Sequence, residues 1–162
     1  MSHESRLTRE LRALLHSHRV AALGTVSDEG LPFVSMVPFA MVPALGCFVI
    51  HVSGLAAHTR YLTGRPAVSL LVMQPELPDE PVHALPRVTV EGRARVLALD
   101  DDEWPACRAA YLKRFPDAEH MTRLGDFRFV AIEVKGARHV AGFGAARSID
   151  EVEIGHALRP EQ

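Results

Sequence analysis

Hydrophobic and polar residues follow two different periodicities along this chain. Four leucines recur at helical spacing between residues 7 and 15, among charged residues, and predict an amphipathic helix that ends near Ser17. Five runs rich in valine, leucine and small apolar residues, bounded by glycine or proline, predict β-strands. These runs are residues 20–26, 33–42, 47–51, 67–73 and 87–97.

The remaining pattern adds a hairpin and two helices. Residues 127–135 and 137–140 predict strands that turn at Gly136, and a helix follows the acidic residues 100–103 and ends near residue 115. A short helix is expected at 55–62, capped by Ser53. Because strands and helices do not alternate regularly, the pattern favours a mainly β, α+β fold. We expect a small antiparallel barrel of six to seven strands with a few short peripheral helices.

Prolines mark two irregular places in this pattern. Pro38 lies inside the run 33–42, where its missing N–H would interrupt a central ladder of hydrogen bonds. That strand should therefore lie at an edge, contain a bulge, or be open to a ligand there. Residues 74–86 contain four prolines and predict a long loop or lid.

Composition narrows the range of possible partners. The 162 residues include 18 basic and 20 acidic side chains, for a net charge of −2, and 48% are hydrophobic. This length suits one domain, and the near-neutral charge favours neither nucleic acid nor an anionic membrane. The expected partner is a small molecule or another copy of the chain. The first residues lack an apolar targeting segment and the two cysteines form no CxxC unit, so we expect a cytoplasmic protein with reduced thiols and no zinc site.

A phosphate-binding pattern occurs at the start of the predicted short helix. Ser53 and Gly54 precede His58, Thr59 and Arg60. Backbone N–H groups at a helix start favour an anion, and these side chains supply donors that match phosphate oxygens. The same residues also fit a solvated helix face with an incidental cap, so both interpretations stay open.

Three further positions are candidates for binding. Arg87 begins a strand directly after the proline-rich loop, where its guanidinium either closes over an anion or faces water. His51 ends its strand near Ser53 and either donates to a bound ligand or is satisfied by its neighbours. Residues 139–144 contain two glycines, which implies the close approach of another surface.

Seven short segments share an order and spacing typical of one family. They are residues 22–26, 30–35, 58–62, 65–71, 87–92, 125–127 and the Gly-Phe-Gly-Ala-Ala stretch 142–146. Together they resemble the FMN-binding split-barrel proteins, the pyridoxamine 5′-phosphate oxidase-like superfamily, and most closely its haem-utilisation (HugZ-like) branch. The resemblance covers about residues 7–147.

The resemblance implies an antiparallel split β-barrel that forms a homodimer, with two FMN sites at the subunit interface. The flavin would be lined by the four residues Ser35, Met36, Val37 and Pro38. The phosphate donors would be those at the start of the short helix, with Arg87 reaching the same cofactor. The implied activity is that of an FMN-dependent oxidoreductase, for which no catalytic side chain is identified.

Departures from the family pattern argue against true pyridoxamine phosphate oxidase activity. Ser35 and Ala40 stand where the family carries arginine and lysine on the flavin-lining strand, and His58 replaces a phosphate-binding lysine. These differences also allow a third reading, in which the barrel has lost its cofactor and serves as a dimeric binding module.

The haem-utilisation branch implies a different ligand. In that branch a histidine near the C-terminus binds the haem iron and is held by a carboxylate; here the matching residues are His156 and Asp126. The alternative is that His156 lies in a polar, frayed tail. We expect a split-barrel domain that spans residues 1–147 and includes the N-terminal helix, followed by a C-terminal tail at 148–162. The resemblance to the haem-utilisation branch implies haem as an alternative ligand or substrate.

Overall fold

A computed structural model describes residues 4–161, so the first three residues of the expected domain and the last residue of the expected tail lie outside the described part. Within that part the chain forms four α-helices and eight β-strands. The helices are α1 (Arg6–Ser17), α2 (Ala57–Gly64), α3 (Trp104–Arg114) and α4 (Glu151–Leu158). The strands are β1 (Val20–Val26), β2 (Pro32–Pro38), β3 (Ala40–Val42), β4 (Cys47–Ser53), β5 (Ala67–Met73), β6 (Arg87–Val96), β7 (Phe127–Val140) and β8 (Ala146–Ile149).

All neighbouring strands are antiparallel and belong to one sheet. Its order is β2-β1-β5-β6-β7-β4-β3, and β8 pairs with the end of β7. The two ends of this order, β2 and β3, are separated in the chain by Phe39 alone. The sheet therefore curls until its ends meet, which makes a split barrel and confirms the expected fold class.

Pro38 occupies an edge, as its missing N–H requires. It is the last residue of β2, which is a terminal strand of the sheet, and it lies opposite Val20. The hydrogen bond that follows is made by Phe39, whose N–H donates to the carbonyl of Arg19. The chain then enters β3 and crosses to the other end of the sheet.

Two apolar clusters hold the fold together. The larger fills the barrel, where α1 contributes Leu11 and Leu15, both fully buried, and α4 contributes Ile154. The smaller lies on the outer face of β3, β4 and β7, where α3 packs with Cys107 and Tyr111. Among the described residues no helix has the length and apolar character needed to cross a bilayer.

The expected hairpin at Gly136 is wrong. Residues 127–140 form the single strand β7, because Gly136 stays extended and pairs with Glu91 of β6. The next pair is Val134 with Gly92, so Lys135 is an extra residue in a β-bulge. The bulge bends one long strand where the sequence pattern indicated a turn.

The expected frayed tail is also wrong for its described part. Residues 146–149 form β8, and α4 follows with Asp150 as its N-cap, accepting a hydrogen bond from the N–H of Glu153. This end is ordered because apolar side chains bury themselves against α1 and the barrel; they are Ile149, Ile154, Ala157 and Leu158.

Candidate functional site

Ser35 and His58 meet between β2 and α2. Ser35 shares the inward face of β2 with the buried Val37, and α2 packs against that face. The Ser35 Oγ lies 2.9 Å from Nδ1 of His58, within hydrogen-bonding distance. Partial burial lowers the pKa of His58, because desolvation disfavours the charged imidazolium. Two residues predicted for the flavin site are thus brought into contact.

Hydrogen bonds connect the start of α2 to the ends of β4 and β7. The Thr59 hydroxyl donates to the carbonyl of Ser53 at 2.6 Å, and the Ser53 hydroxyl donates to Oδ2 of Asp126 at 3.3 Å. The N–H of Gly54 donates to the Asp126 carbonyl at 2.5 Å. A Cβ on Gly54 would lie 3.0 Å from that carbonyl oxygen, so the glycine permits a backbone contact. Thr59 is buried, and its hydroxyl proton is committed to the protein.

The short helix begins two residues later than expected. Its N-cap is Ala56, which offers no side-chain hydrogen bond, and Ser53 is not the cap. The Ser53 Oγ instead accepts from the N–H of Leu55, closing a turn ahead of the helix. A serine hydroxyl that accepts from the backbone N–H two residues later is not available to cap the helix. In this chain the Ser53 hydroxyl forms the turn and does not cap α2.

The two predicted arginines lie apart from the Ser35–His58 contact. The exposed Arg60 side chain pairs with Asp28, with Nε 3.2 Å from Oδ2, and covers the ring of Tyr61. Arg87 lies three strands from β2 along the sheet, and its Nη1 donates to the carbonyl of Leu85 at 2.9 Å. The predicted phosphate donors therefore do not converge within one chain.

His51 points away from this region. Its side chain, 8% exposed, lies on the α3 side of β4, with its ring 4.4 Å from Phe129 and 5.1 Å from Phe127 between centroids. Burial lowers its pKa to about 4. Among the described residues its Nδ1 has no hydrogen-bond partner. Within one chain His51 is therefore a buried neutral residue, and it does not face the region around Ser35 and His58 where it was predicted to donate to a ligand.

The rest of the predicted flavin lining divides between the two faces of β2. Val37 is in the core, whereas Met36 and its neighbour Val34 are 64% and 67% exposed on the outer face. Their cross-strand partners on β1 are the small residues Ala22 and Gly24. This produces an exposed apolar area, the outer β1–β2 face, at the edge of the sheet.

The proposed haem ligand lies in another part of the molecule. His156 is exposed on α4, beside a cleft of about 770 Å³ between α1 and α4. Arg9 and Arg159 line the same cleft. Asp126 lies before the first residue of β7, whereas α4 follows β8, which pairs with the last residues of β7. The single chain thus does not bring His156 and Asp126 together.

A partly buried polar network joins α1, α4, β7 and β8, and the sequence pattern did not indicate it. His139, 1% exposed, faces Nη2 of Arg147 at 3.4 Å. Arg147 pairs with Glu153 at 2.6 Å, and Glu153 also accepts from the hydroxyl of Thr8 at 2.9 Å. Burial, with a contribution from Arg147, lowers the pKa of His139. The only sequence feature that could have indicated this network was His139, three positions before the Gly-Phe-Gly stretch.

No group of three or more His, Cys, Asp and Glu side chains within residues 4–161 is arranged to hold a metal ion.

The curled antiparallel sheet, with α2 packed against β1 and β2 at its edge, defines the chain as a split-barrel protein. Residues 7–141 match the pyridoxamine 5′-phosphate oxidase family. The chain therefore belongs to the pyridoxamine 5′-phosphate oxidase family, and the resemblance derived from the sequence is confirmed.

Known proteins similar to this chain include two haem oxygenases. It is 37% identical over 152 residues to the chloroplastic non-canonical haem oxygenase HOZ of Arabidopsis thaliana, covering 90% of this chain but 45% of that protein. It is 28% identical over 147 residues to the haem oxygenase HutZ of Vibrio cholerae, covering 90% of this chain and 82% of HutZ. The chain thus spans less than half of the plant relative.

This chain is also similar to the solved structure of a haem binding protein. A haem binding protein from Mycobacterium smegmatis superimposes with a TM-score of 0.83 and 29% identity, over 94% of this chain and 61% of that one. These similarities favour the haem alternative of the sequence analysis over its FMN reading.

Proposed function

We propose that this protein binds haem and catalyses its oxidative degradation as a homodimer. The observation that carries the proposal is that both curated relatives, each aligned with 90% of this chain, are named haem oxygenases. The related structure from Mycobacterium smegmatis is that of a haem binding protein. Haem is the substrate in this proposal, and the protein must hold and orient it.

The outer β1–β2 face supports the homodimer. Val34 and Met36 expose apolar side chains on a terminal strand, beside the small residues of β1. An exposed apolar face of this kind marks an interaction surface, and removing it from water favours association. A second copy of the chain, related by two-fold symmetry, offers the same face in return.

His156 supports iron ligation. Its imidazole is exposed on α4, and Arg9 and Arg159 beside it are cations that suit the carboxylates of haem. A ligating histidine commonly donates its other ring N–H to a carboxylate, which orients the ring. Because Asp126 is remote from α4 in the same chain, we propose that Asp126 of a second copy supplies this carboxylate. Bound haem supplies the redox chemistry of its iron, and the protein residues position it.

FMN stays the second candidate because of the Ser35–His58 contact at 2.9 Å, which joins two residues predicted for a flavin site. The residues predicted to bind the flavin phosphate support this candidate less well, because each already has a partner within the chain. Thr59 donates to Ser53, Arg60 pairs with Asp28, and Arg87 donates to Leu85. A flavin phosphate would have to displace these partners, which costs the hydrogen bonds already made.

Parallel titrations of the purified protein test both candidates. We expect a saturable Soret band with haem, and loss of that band under oxygen and a reductant. His156→Ala should shift the Soret maximum and weaken binding, whereas His120→Ala, at another exposed histidine, should leave both unchanged. Saturable FMN binding without haem binding would overturn the proposal in favour of the flavoprotein. Binding of neither would favour the cofactor-free module.

A further inference from the structure

The two cysteines, sixty positions apart in sequence, are neighbours in the folded chain. Cys47 is the first residue of β4, and Cys107 lies in α3, which packs on that strand. Both thiols are free and belong to the cluster between α3 and the sheet. Their exposures are 4% and 0%. The fold thus brings the only two thiols of the sequence to one buried place.

The two thiols lie in the same buried cluster and influence each other's ionisation. The neighbouring thiol lowers the pKa of Cys107 and raises that of Cys47. The S–H of one cysteine stabilises the thiolate of the other, so loss of one proton is favoured and loss of both is not. Arg95 nearby also favours a thiolate, whereas Glu103 opposes it. A thiolate beside a thiol is the arrangement from which disulfides form.

A cleft gives small molecules access to this pair. It has a volume of about 510 Å³ and is lined by Cys47 together with Arg93, Arg95, Glu103 and Glu133. Cys47 therefore borders the cleft, whereas Cys107 lies behind it, fully buried. A hydroperoxide that entered this cleft would meet Cys47 first.

We propose that Cys47 and Cys107 form a reversible redox site, which a hydroperoxide converts to an intramolecular disulfide between β4 and α3. In the first step the thiolate sulfur attacks the peroxide oxygen, the O–O bond breaks, and the leaving oxygen takes the thiol proton. This yields a sulfenic acid and one molecule of water or alcohol. In the second step the other sulfur, now a thiolate, attacks the sulfenic sulfur and the S–O bond breaks. The leaving hydroxide takes up the proton that was released when the first thiolate formed, and departs as water. The two thiols are oxidised and the peroxide is reduced.

The disulfide would fasten α3 to the sheet. At present α3 is held there by apolar packing, with Tyr111 against the His51 and Phe129 rings. A covalent link closes a chain segment of sixty residues and restricts the unfolded state, so the oxidised protein should unfold at a higher temperature.

The test treats the full-length reduced protein with hydrogen peroxide, blocks remaining thiols, and maps peptides without reduction. We expect one cross-linked pair of peptides containing Cys47 and Cys107, no free thiol after denaturation, and a raised thermal midpoint that dithiothreitol reverses. Disulfides between separate copies, or overoxidised cysteines without the cross-link, would overturn the proposal.

Cys107→Ser and Cys47→Ser serve as matched variants. In Cys107→Ser the peroxide should leave a sulfenic acid on Cys47 that dimedone traps, and neither variant should gain thermal stability on oxidation. A peroxide-induced rise in the midpoint of either variant would contradict the site. If a variant fails to fold, peptide mapping of the wild-type chain still decides, since it needs no substitution.

Discussion

Burial decides the chemistry of His51. From the sequence, a strand-end histidine beside Ser53 was compatible with donation to a ligand. In the folded chain its ring lies among Phe127, Phe129 and Tyr111, and burial lowers its pKa to about 4. Desolvation disfavours the imidazolium, so the residue is a neutral member of an aromatic cluster.

His51 should make stability depend on pH. Its pKa is about 4 when folded and about 6.5 when unfolded, so the unfolded chain binds more protons between these values. The contribution is fully present above pH 6.5 and is lost as the pH falls towards 4, at no more than about 1.4 kcal/mol per pH unit. Urea unfolding at a series of pH values should show a shallower acid loss for His51→Phe than for wild type.

The exposed His120 provides the control for this measurement. His120→Phe should keep the wild-type dependence, because that side chain lies at the surface. Parallel pH curves for wild type and His51→Phe would contradict the account of His51.

At the scale of elements, α4 shows how an unpromising segment becomes ordered. Its sequence is short and contains Gly155, which disfavours a helix. Tertiary contacts supply what the propensity lacks: Ile154 is buried in the barrel, and Glu153 joins Arg147 of β8 to Thr8 of α1. His16, in the last turn of α1, also lies 3.2 Å from the carbonyl of Ala157 through its Nε2.

Glu153→Gln should weaken the attachment of α4. The change removes the charge that pairs with the partly buried Arg147, and we expect a loss of about 1–3 kcal/mol in the free energy of unfolding. Hydrogen exchange should accelerate in α4 and β8 before the rest of the sheet. Glu151→Gln is the matched control, because it removes an exposed charge from the same first turn. Equal losses in the two variants would argue against the network.

At the scale of the whole molecule, the outer β1–β2 face sets the expected assembly. Met36 is 64% exposed, so Met36→Asp should fold normally and yet prevent association by placing charges at a two-fold interface. Sedimentation velocity should show a dimer for wild type and a monomer for the variant. Haem affinity should fall with it, since the proposed site needs two copies.

Leu99→Asp is the control for Met36→Asp. Leu99 is 70% exposed in the connection between β6 and α3, away from the outer β1–β2 face. This variant should remain dimeric. A wild-type monomer, or a dimer that survives Met36→Asp, would exclude this face as the interface.

Local sequence patterns predicted most of the fold. The leucine spacing of α1, the apolar runs of β1 and β5, and the edge position of Pro38 follow from periodicity and from the missing proline N–H. The single strand β7 could not be read in this way. Whether Gly136 turns or continues depends on β6, whose pairing accommodates Lys135 as a bulge.

The sequence by itself determined most of the strands and helices that precede β7, the near-neutral charge, and the family of this protein, because these depend on residue type and order along the chain. Only the tertiary structure decided which residues meet. It joined Ser35 to His58 and Cys47 to Cys107, and it separated His156 from Asp126. These contacts depend on how the sheet curls, and long-range register follows from packing across the whole barrel rather than from any local pattern.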